Sequence, residues 1–557
     1  MENLQLNIFK IKDENNINEV EMVIQKQMKN KRTKRIFNKD IELNGIKYNF
    51  DFFFYMTSSE NKKIDWYEKI KDIFKIEDNI TKDIYSGYGI LLIYNENIKY
   101  VVSFGRAMYV LDKYIDWNFG LEMAAKMLDR NAINAQSSKY FSLSKNKSLV
   151  VYNNGSFNTE VGESIDLITA NITEIGNHSR INNLNNYINN RVAFSSCVKI
   201  VVKLEKIKFT DLVTIISDID IIYRKYPERI TIPKLVFLKN DDITIERLKE
   251  KINNEILKEE DNTNISLCLY TVLDSEITLL EDIEKYELYY SRYSQEYDNL
   301  LIEDIREFMN KYMITDIEKI NLRINYMDRE KVIKLYKLLD YTTEIEGDKN
   351  YYCLYNGRWA KFNQNYVDKI KNEITVINKK VEYEPKYDLD LKENEKIIQK
   401  NYKSMLTYLN SPDLTLNEDT RGKLYREFVY NYNLSKKING ILLDRKQFYG
   451  IEICDIYVNN ELIHTKIGAP GEFNECINQS IIGMETWNTN KKEIENELNI
   501  KDVDTITLLL ITQNQKVLKS KDINEFSSLR FKLNLIEWYS KVDLIGKKSR
   551  VIIAKMK

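Results

Sequence analysis

Four polar residues in the last third of the chain have types and spacing that suit chemistry on a phosphate. Asp455 lies in one apolar run, and His464 and Lys466 lie in the next, GIEICDIYV and ELIHTKIG. Glu427 precedes them in RGKLYREFVYNYNL. Carboxylate oxygens are hard ligands that suit Mg²⁺, and a lysine stabilises negative charge that develops on a phosphate. These residues are the candidates for a site that combines a divalent cation with a lysine.

The surrounding sequence predicts the elements that position these side chains. Alternation along a strand places Asp455 and Tyr457 on one face of a first hairpin strand. The same alternation places His464 and Lys466 on one face of the second strand. The predicted order is helix, three strands and helix, over residues 421–434, 440–446, 450–458, 461–468 and 474–482.

This order resembles the restriction-endonuclease-like core, an αβββαβ arrangement. In that core an aspartate on one hairpin strand and an acidic-x-lysine triplet on the next hold a divalent ion and position the attacking water. The resemblance implies that Asp455 and Glu427 hold Mg²⁺ or Mn²⁺ and act in catalysis with Lys466. It also implies that Gln479, on the helix after the hairpin, contacts nucleic acid.

His464 stands where the pattern of that core has an acidic residue. Histidine is a poor ligand for Mg²⁺, but it suits Mn²⁺ or softer metals and can act as a general base, so it remains a candidate catalytic residue. Glu461 is three residues away and therefore faces the other side of a regular strand. A degenerate core that only senses nucleic acid is one alternative. An ordinary amphipathic hairpin with Asp455, His464 and Lys466 on its solvated face is another.

The C-terminal tail offers a second candidate contact with nucleic acid. Lysine and arginine exceed acidic residues in 401–450 and 521–557, whereas acidic residues exceed them in 451–520. Cations near Trp538 and Tyr539 suit a basic and aromatic surface that binds a nucleic-acid strand. A solvent-exposed helix and β-strand without any partner would have the same residue pattern. The candidate residues are Lys541, Lys547, Lys548 and Arg550.

Composition excludes several classes of protein. The 83 lysine and arginine residues balance 84 acidic ones, so no global basic field draws the chain to DNA or RNA. Five single cysteines without a C-x-x-C pair favour a reducing cytoplasm over a disulfide framework or a zinc site. No apolar stretch approaches the roughly 18 residues of a membrane span, so we expect no membrane partner. Gly87-Tyr88-Gly89 lacks the frame of a dinucleotide loop, and no nucleotide cofactor is expected.

Apolar runs alternate between strand and helix patterns, which predicts a multidomain α/β protein with mixed sheets. Strand patterns cover 4–11, 47–56 and the hairpin 87–105, whereas 328–341 is predicted as a helix. The charged, weakly periodic stretch around Pro385 marks the main boundary. The predicted domains are an N-terminal domain 1–205, a middle domain 206–385 and a C-terminal domain 386–557, the last with the restriction-endonuclease-like core.

Five separated segments resemble a sporadically distributed bacterial family of about this length, known for its patchy occurrence beside mobile elements and antiphage loci. The resemblance implies an antiphage-defence or toxin-type protein but assigns no catalytic residue. Metal-dependent hydrolysis of DNA or RNA is the preferred function. The alternatives are a non-catalytic sensor and a scaffold for a defence or phage protein. The segments are 101–124, 136–143, 351–370, 440–468 and 529–557.

Overall fold

Strands and helices alternate along the chain in the computed structural model, as expected for a mixed α/β protein. One unit contains Met1–Tyr140, Lys147–Asn240 and Asn363–Tyr366, and the other contains Phe141–Asn146, Asp241–Phe362 and Val367–Lys557. The division at 205 and 385 remains a prediction. The structure describes residues 3–28, 34–56, 70–71, 73, 87–105, 107–142, 146–152, 157–171, 188–203, 207–239, 242–257, 265–267, 270–273, 276–279, 285–298, 300–326, 329–345, 347–348, 350–394, 396 and 418–557.

The first unit is built on one ten-stranded sheet in which every pair of neighbours is antiparallel. Its strands are β1 Asn3–Lys10, β2 Lys34–Leu43, β3 Ile46–Met56, β4 Gly87–Tyr94, β5 Lys99–Phe104, β6 Ile133–Lys139, β7 Lys147–Val151, β8 Ser164–Asn171, β9 Ile188–Phe194 and β10 Val198–Lys203. Their order is β2-β3-β4-β5-β1-β10-β9-β8-β6-β7. The unit also contains β11 Leu235–Phe237 and the helices α1 Ile17–Met28, α2 Phe119–Met127 and α3 Phe209–Lys225.

Both faces of this sheet are covered near β3. Phe50, Phe52 and Phe54 belong to one buried cluster, whereas Phe53 belongs to a second cluster with residues of β4 and β5. Side chains alternate between the faces of a strand, so a strand that is buried on both sides is a continuous apolar run. This explains the aromatic stretch that marks 47–56 as a strand in the sequence.

The amino-terminal part of the second unit contains short antiparallel sheets. Its strands are β12 Ile265–Leu267, β13 Tyr270–Leu273, β14 Glu276–Leu279, β15 Tyr286–Tyr290, β16 Tyr293–Tyr297, β17 Asn321–Tyr326, β18 Arg329–Lys334, β19 Leu339–Glu344, β20 Tyr351–Tyr355 and β21 Arg358–Phe362. The orders are β13-β14, β16-β15-β17-β18 and β21-β20-β19-β12. The helices are α4 Thr244–Leu257, α5 Ile302–Lys311 and α6 Gln364–Asn378, which begins in the first unit.

The helix predicted over 328–341 is wrong. The described part of this segment is strand β18, a 3₁₀ turn at Leu335–Leu338 and the start of strand β19. Strand β18 pairs with β17 along its whole length, and β19 pairs with β12 and β20. The apolar spacing fits a helix locally, but strand pairing with distant segments decides the conformation.

The carboxyl-terminal part of the second unit is a six-stranded mixed sheet with helices packed against it. Its strands are β22 Val381–Glu382, β23 Ile441–Leu442, β26 Ile456–Val458, β27 Glu461–Ile467, β28 Thr505–Thr512 and β29 Lys548–Lys555, and a separate hairpin consists of β24 Gln447–Phe448 and β25 Ile451–Glu452. The order is β22-β29-β28-β27-β26-β23. The helices are α7 Glu418–Lys437, α8 Pro470–Thr489, α9 Lys491–Leu498, α10 Gln515–Ser520 and α11 Leu529–Leu544. No helix in the described ranges is both long and apolar enough to cross a membrane.

Strands β23, β26 and β27 form an antiparallel meander, and β28 joins it parallel to β27. The segment 504–512 therefore shares one sheet with most of the predicted strands of 440–468, whereas Gln447–Phe448 and Ile451–Glu452 form the separate hairpin. Helices α7 and α8 contain the predicted helices 421–434 and 474–482. The predicted strand 450–458 is interrupted, because Ile453–Asp455 lie between β25 and β26.

Replacing Gly483 with alanine tests the contact between α8 and this interruption. A Cβ atom at Gly483 would lie 2.4 Å from the carbonyl oxygen of Ile453. We expect Gly483→Ala to lower the free energy of unfolding by about 1–3 kcal/mol through overpacking, despite the higher helix propensity of alanine. Chemical denaturation in urea measures the change. The control is Asn478→Ala, at an exposed position of the same helix, which should leave stability unchanged or raise it. A Gly483→Ala protein as stable as the control would contradict this packing.

Candidate metal centre

Asp455 joins three segments of the C-terminal sheet through its main chain. Its carbonyl oxygen accepts hydrogen bonds from the N–H groups of Leu443 and Asp444, at 2.8 and 3.0 Å. Its own N–H donates to the carbonyl of Ile463 on β27, at 3.0 Å. The end of the β23 segment, the start of β26 and the middle of β27 therefore meet at this residue.

Three carboxylates converge at this point. Asp444, Glu452 and Asp455 each place one oxygen within 4.8 Å of the others. Asp444 is 6 % exposed, and the other two are half-buried. Asp444 and Glu452 stand at the two ends of the β24–β25 hairpin, so the hairpin brings them beside Asp455. Oxygens at this spacing can share one hard divalent cation.

Main-chain N–H groups hold two of the three carboxylates in place. Thr465 N donates to Asp455 Oδ2 at 2.7 Å, and Arg445 N donates to Glu452 Oε1 at 2.6 Å. Asn431 Nδ2 donates to Asp444 Oδ2 at 2.7 Å and to Asp455 Oδ1 at 3.3 Å. These donors orient the oxygens without neutralising the negative charge, since none of them carries a net charge.

Burial raises the pKa of each carboxyl group in the cluster. Burial raises the pKa of Asp455 well above its usual range, and repulsion from the neighbouring carboxylates raises it further. Burial raises the pKa of Glu452 to about 7, with repulsion from Asp444 and Glu427 added and the Arg445 N–H opposing. Burial also raises the pKa of Asp444. A bound cation would favour the ionised forms and displace protons from the cluster.

The side-chain oxygen of Asn431 is buried and indicates that a ligand binds at this position. Its side chain is 0 % exposed, and its Nδ2 contacts two of the clustered carboxylates. No donor in the described part of the chain reaches its Oδ1. An unsatisfied buried carbonyl oxygen costs free energy, and carboxamide oxygens are accepted ligands of hard cations. The side chain therefore fits a site in which a cation supplies the missing partner.

Lys466 lies beside the cluster and is held by two glutamates. Its Nζ is 3.5 Å from Glu427 Oε1 and 3.3 Å from Glu475 Oε2. Burial alone would lower the pKa of Lys466, but these two carboxylates outweigh burial and raise it, so the ammonium stays charged. Burial raises the pKa of Glu427, against the attraction of Lys466 and a hydrogen bond from Ile467 N at 3.2 Å. Glu427 thus faces both Lys466 and the carboxylate cluster.

His464 is buried rather than solvated. It is 3 % exposed, so the alternative that places it on an open hairpin face is wrong for this residue. Burial lowers its pKa to about 3, and its Nε2 has no hydrogen-bond partner among the described residues. An imidazole with this pKa is neutral near pH 7. His464 does not belong to the group of three carboxylates that can share one ion.

The structure places the other predicted residues away from the carboxylates or in other contacts. Gln479 is exposed one helical turn beyond Glu475. In the parallel strands β27, β28 and β29, Glu461, Thr505 and Lys548 lie side by side. Lys466 is five residues further along β27 than Glu461, so Lys548 and Lys466 are roughly 17 Å apart along the strand direction. Lys541 pairs with Glu485 and Glu537, Lys547 lies over the ring of Trp487, and Arg550 pairs with Glu382 and Glu461.

Sequence reasoning missed Asp444, Glu452 and Asn431. The sequence did contain one signal for Asp444, which is an acidic residue directly after the apolar strand run GILL. Glu452 and Asn431 carry no comparable signal. Their proximity depends on how the hairpin folds back and on which face of α7 packs on the sheet.

Replacing Glu452 with glutamine tests the charge of the cluster. The folded pKa of about 7 exceeds the usual value of about 4.3, so ionisation destabilises the fold as the pH rises through this interval. In the presence of a chelator, Glu452→Gln should raise the free energy of unfolding by about 1–3 kcal/mol at pH 8 and by little at pH 4. Urea denaturation at both values measures it. The matched control is the exposed Glu495→Gln. An equal gain at both pH values would contradict the shifted pKa.

Replacing His464 with leucine tests the buried imidazole. The folded pKa of about 3 lies below the usual value of about 6.5, so protonation favours the unfolded chain as the pH falls below 6.5. The wild type should lose about 2 kcal/mol more than His464→Leu between pH 7.5 and pH 5. Denaturation curves of both proteins at the two pH values give this difference. Parallel losses would show that His464 is solvated or paired.

Comparison with known proteins identifies a family but no relative of known activity. No curated protein and no solved structure matches the chain. One family profile matches residues 6–546, which is nearly the whole sequence. The match agrees with the expectation of a single family that spans both units. The chain therefore belongs to the family of unknown function DUF6119.

Proposed function

We propose that the C-terminal domain is a metal-dependent nuclease that hydrolyses phosphodiester bonds in DNA or RNA. The observation that carries the proposal is the convergence of Asp444, Glu452 and Asp455 within 4.8 Å, with Lys466 beside them. The order of the elements also supports it, because α7, β23, β26, β27, α8 and β28 occur in the order of the αβββαβ arrangement, with the β24–β25 hairpin and α9 inserted. Antiphage defence or a toxin-type role is proposed from the family resemblance alone.

The donor set fits Mg²⁺ or Mn²⁺. The three carboxylates and the unsatisfied Asn431 Oδ1 are all hard oxygen donors, which these ions prefer. When bound, such an ion supplies Lewis-acid polarisation of the phosphate and lowers the pKa of water. Glu427 is held by Lys466 and Ile467 N, so its contribution is to place the lysine rather than to complete the group of three.

One side chain of this centre can act on a phosphodiester directly. Lys466 keeps its positive charge between two glutamates, so its ammonium can stabilise negative charge on a phosphate oxygen. Glu452 would serve as a carboxylate ligand, because a bound cation would lower its pKa from about 7. The half-buried Asp455 is oriented by the hydrogen bond that its carboxylate accepts from Thr465 N.

The second candidate is a non-catalytic sensor or scaffold that binds nucleic acid or a phage or defence protein. One observation favours it. The position that should carry the acid of the acidic-x-lysine triplet holds His464, which is 3 % exposed and neutral. A sensor needs the fold and a binding surface but no metal-supported chemistry.

Cleavage assays distinguish the two candidates. Purified full-length protein should degrade labelled DNA or RNA in the presence of Mg²⁺ or Mn²⁺ and not in the presence of a chelator. Asp455→Asn should reduce the rate at least about a hundredfold, because the cluster loses one charged ligand, and Lys466→Met should do the same by removing the cation. The melting temperature of Asp455→Asn should not fall, since the substitution relieves repulsion.

Matched controls remove charge elsewhere in the same domain. Glu495→Gln and Lys519→Met change exposed residues and should leave cleavage unchanged. Activity that survives in Asp455→Asn would reject the nuclease proposal. A wild-type protein that binds DNA or RNA but cleaves neither would favour the sensor, and plaque counts with both proteins would test the proposed defence role.

A further inference from the structure

The hairpin that carries two of the clustered carboxylates has an unusual tip. Strands β24 and β25 pair with Gln447 opposite Glu452 and Phe448 opposite Ile451. Tyr449 and Gly450 form the two-residue turn between them, with φ values of 49° and 80°. Positive φ at both positions is the geometry of a type I′ turn, which favours asparagine followed by glycine.

Elsewhere this chain follows that preference. Among the described residues, three other two-residue turns join paired strands with positive φ at both positions, and each begins with asparagine. A bulky residue at positive φ is strained, so tyrosine is a poor choice for the turn itself. We therefore expect the side chain of Tyr449 to have a role other than forming the turn. The other turns are Asn44-Gly45, Asn356-Gly357 and Asn459-Asn460.

The Tyr449 ring is open to solvent. Tyr449 is 82 % exposed, whereas Phe448 beside it is 1 % exposed and anchors the hairpin. The two rings meet edge to face at 4.6 Å, which leaves a face of Tyr449 free for another aromatic group. A Cβ atom at Gly450 would have no neighbour within 4 Å, so the space around the tip is also open.

The hairpin also presents positive charge. Arg445 and Lys446 are exposed at its start, between Asp444 and the tip, and Arg445 Nε also lies 3.7 Å from Asp444 Oδ1. Tyr449 and Glu452 are three positions apart, a span of about 10 Å at most. An aromatic ring and two cations therefore lie within reach of nucleotides next to a phosphate at the carboxylates. This combination is how proteins hold single strands, with cations on the backbone and bases stacked on aromatic rings.

We propose that Tyr449 stacks on an unpaired base of the strand held at the metal centre. This inference rests on the proposed nuclease function and names its substrate class, which is single-stranded or locally unpaired DNA or RNA. Arg445 and Lys446 contact the backbone of the same strand. A base inside a duplex has no free face, so Tyr449 contributes little to binding a fully paired substrate.

The test compares Tyr449→Asn and Tyr449→Trp in full-length protein that also carries Asp455→Asn to stop cleavage. Fluorescence anisotropy measures the binding of labelled 15-nucleotide single strands of DNA and RNA and of the matching duplexes. Tyr449→Asn should weaken single-strand binding at least about fivefold and leave duplex binding unchanged. Tyr449→Trp should retain the affinity. Asparagine suits the turn, so the melting temperature of Tyr449→Asn should be equal or higher.

The outcomes separate this inference from the nuclease proposal. Unchanged single-strand binding by Tyr449→Asn, in a protein whose parent cleaves DNA or RNA, overturns the stacking role and leaves the nuclease intact. Equal losses for single strands and duplexes also overturn it, since stacking on an unpaired base is then not the cause. A full-length protein that binds neither DNA nor RNA overturns both proposals. Cleavage by wild type of a single strand in preference to its duplex supports the inference.

Discussion

The accumulation of negative charge in one corner of the C-terminal sheet is the constraint on which the centre depends. Taking several carboxylates out of water costs free energy unless other groups offset it. Here the offset comes from main-chain N–H groups at Thr465, Arg445 and Ile467 and from the side-chain cations of Lys466 and Arg445. The interruption of the sheet at Asp455, the fold of the β24–β25 hairpin and the position of α7 are what bring these donors together.

The sequence predicted the helices and strands around the centre better than the residues that form it. Apolar runs located the hairpin and both flanking helices, because buried faces impose a periodicity that is visible in one dimension. These elements contained Asp455 and Lys466. Asp444 and Glu452 were missed because eight positions separate them, and only a hairpin with its own turn brings them close. Burial of His464 also could not be seen, since a strand that is covered on both faces and one that is open on one face can share the same polar residues.

The segment 328–341 shows where periodicity fails for the fold. Its apolar residues recur at helical spacing, yet β17 supplies a pairing edge for β18, and β12 and β20 enclose β19. Such pairing depends on segments far away in the chain, and local propensity does not contain that information. The N-terminal sheet was easier to predict at β3, because burial of both faces leaves an apolar run that few other structures require.

The short strand β22 has a consequence for the borders of the C-terminal sheet. It lies outside β29, and Arg550 on β29 pairs with Glu382 through two hydrogen bonds, at 3.0 and 2.6 Å. A fragment that begins at residue 386 would lack this strand and leave the edge of β29 that it covers, at Val551 and Ile552, open. Open strand edges recruit other strands, so such a fragment would tend to self-associate. Val381 and Glu382 thus belong to the C-terminal sheet and cover its edge, although they precede α7, the first helix of the predicted core.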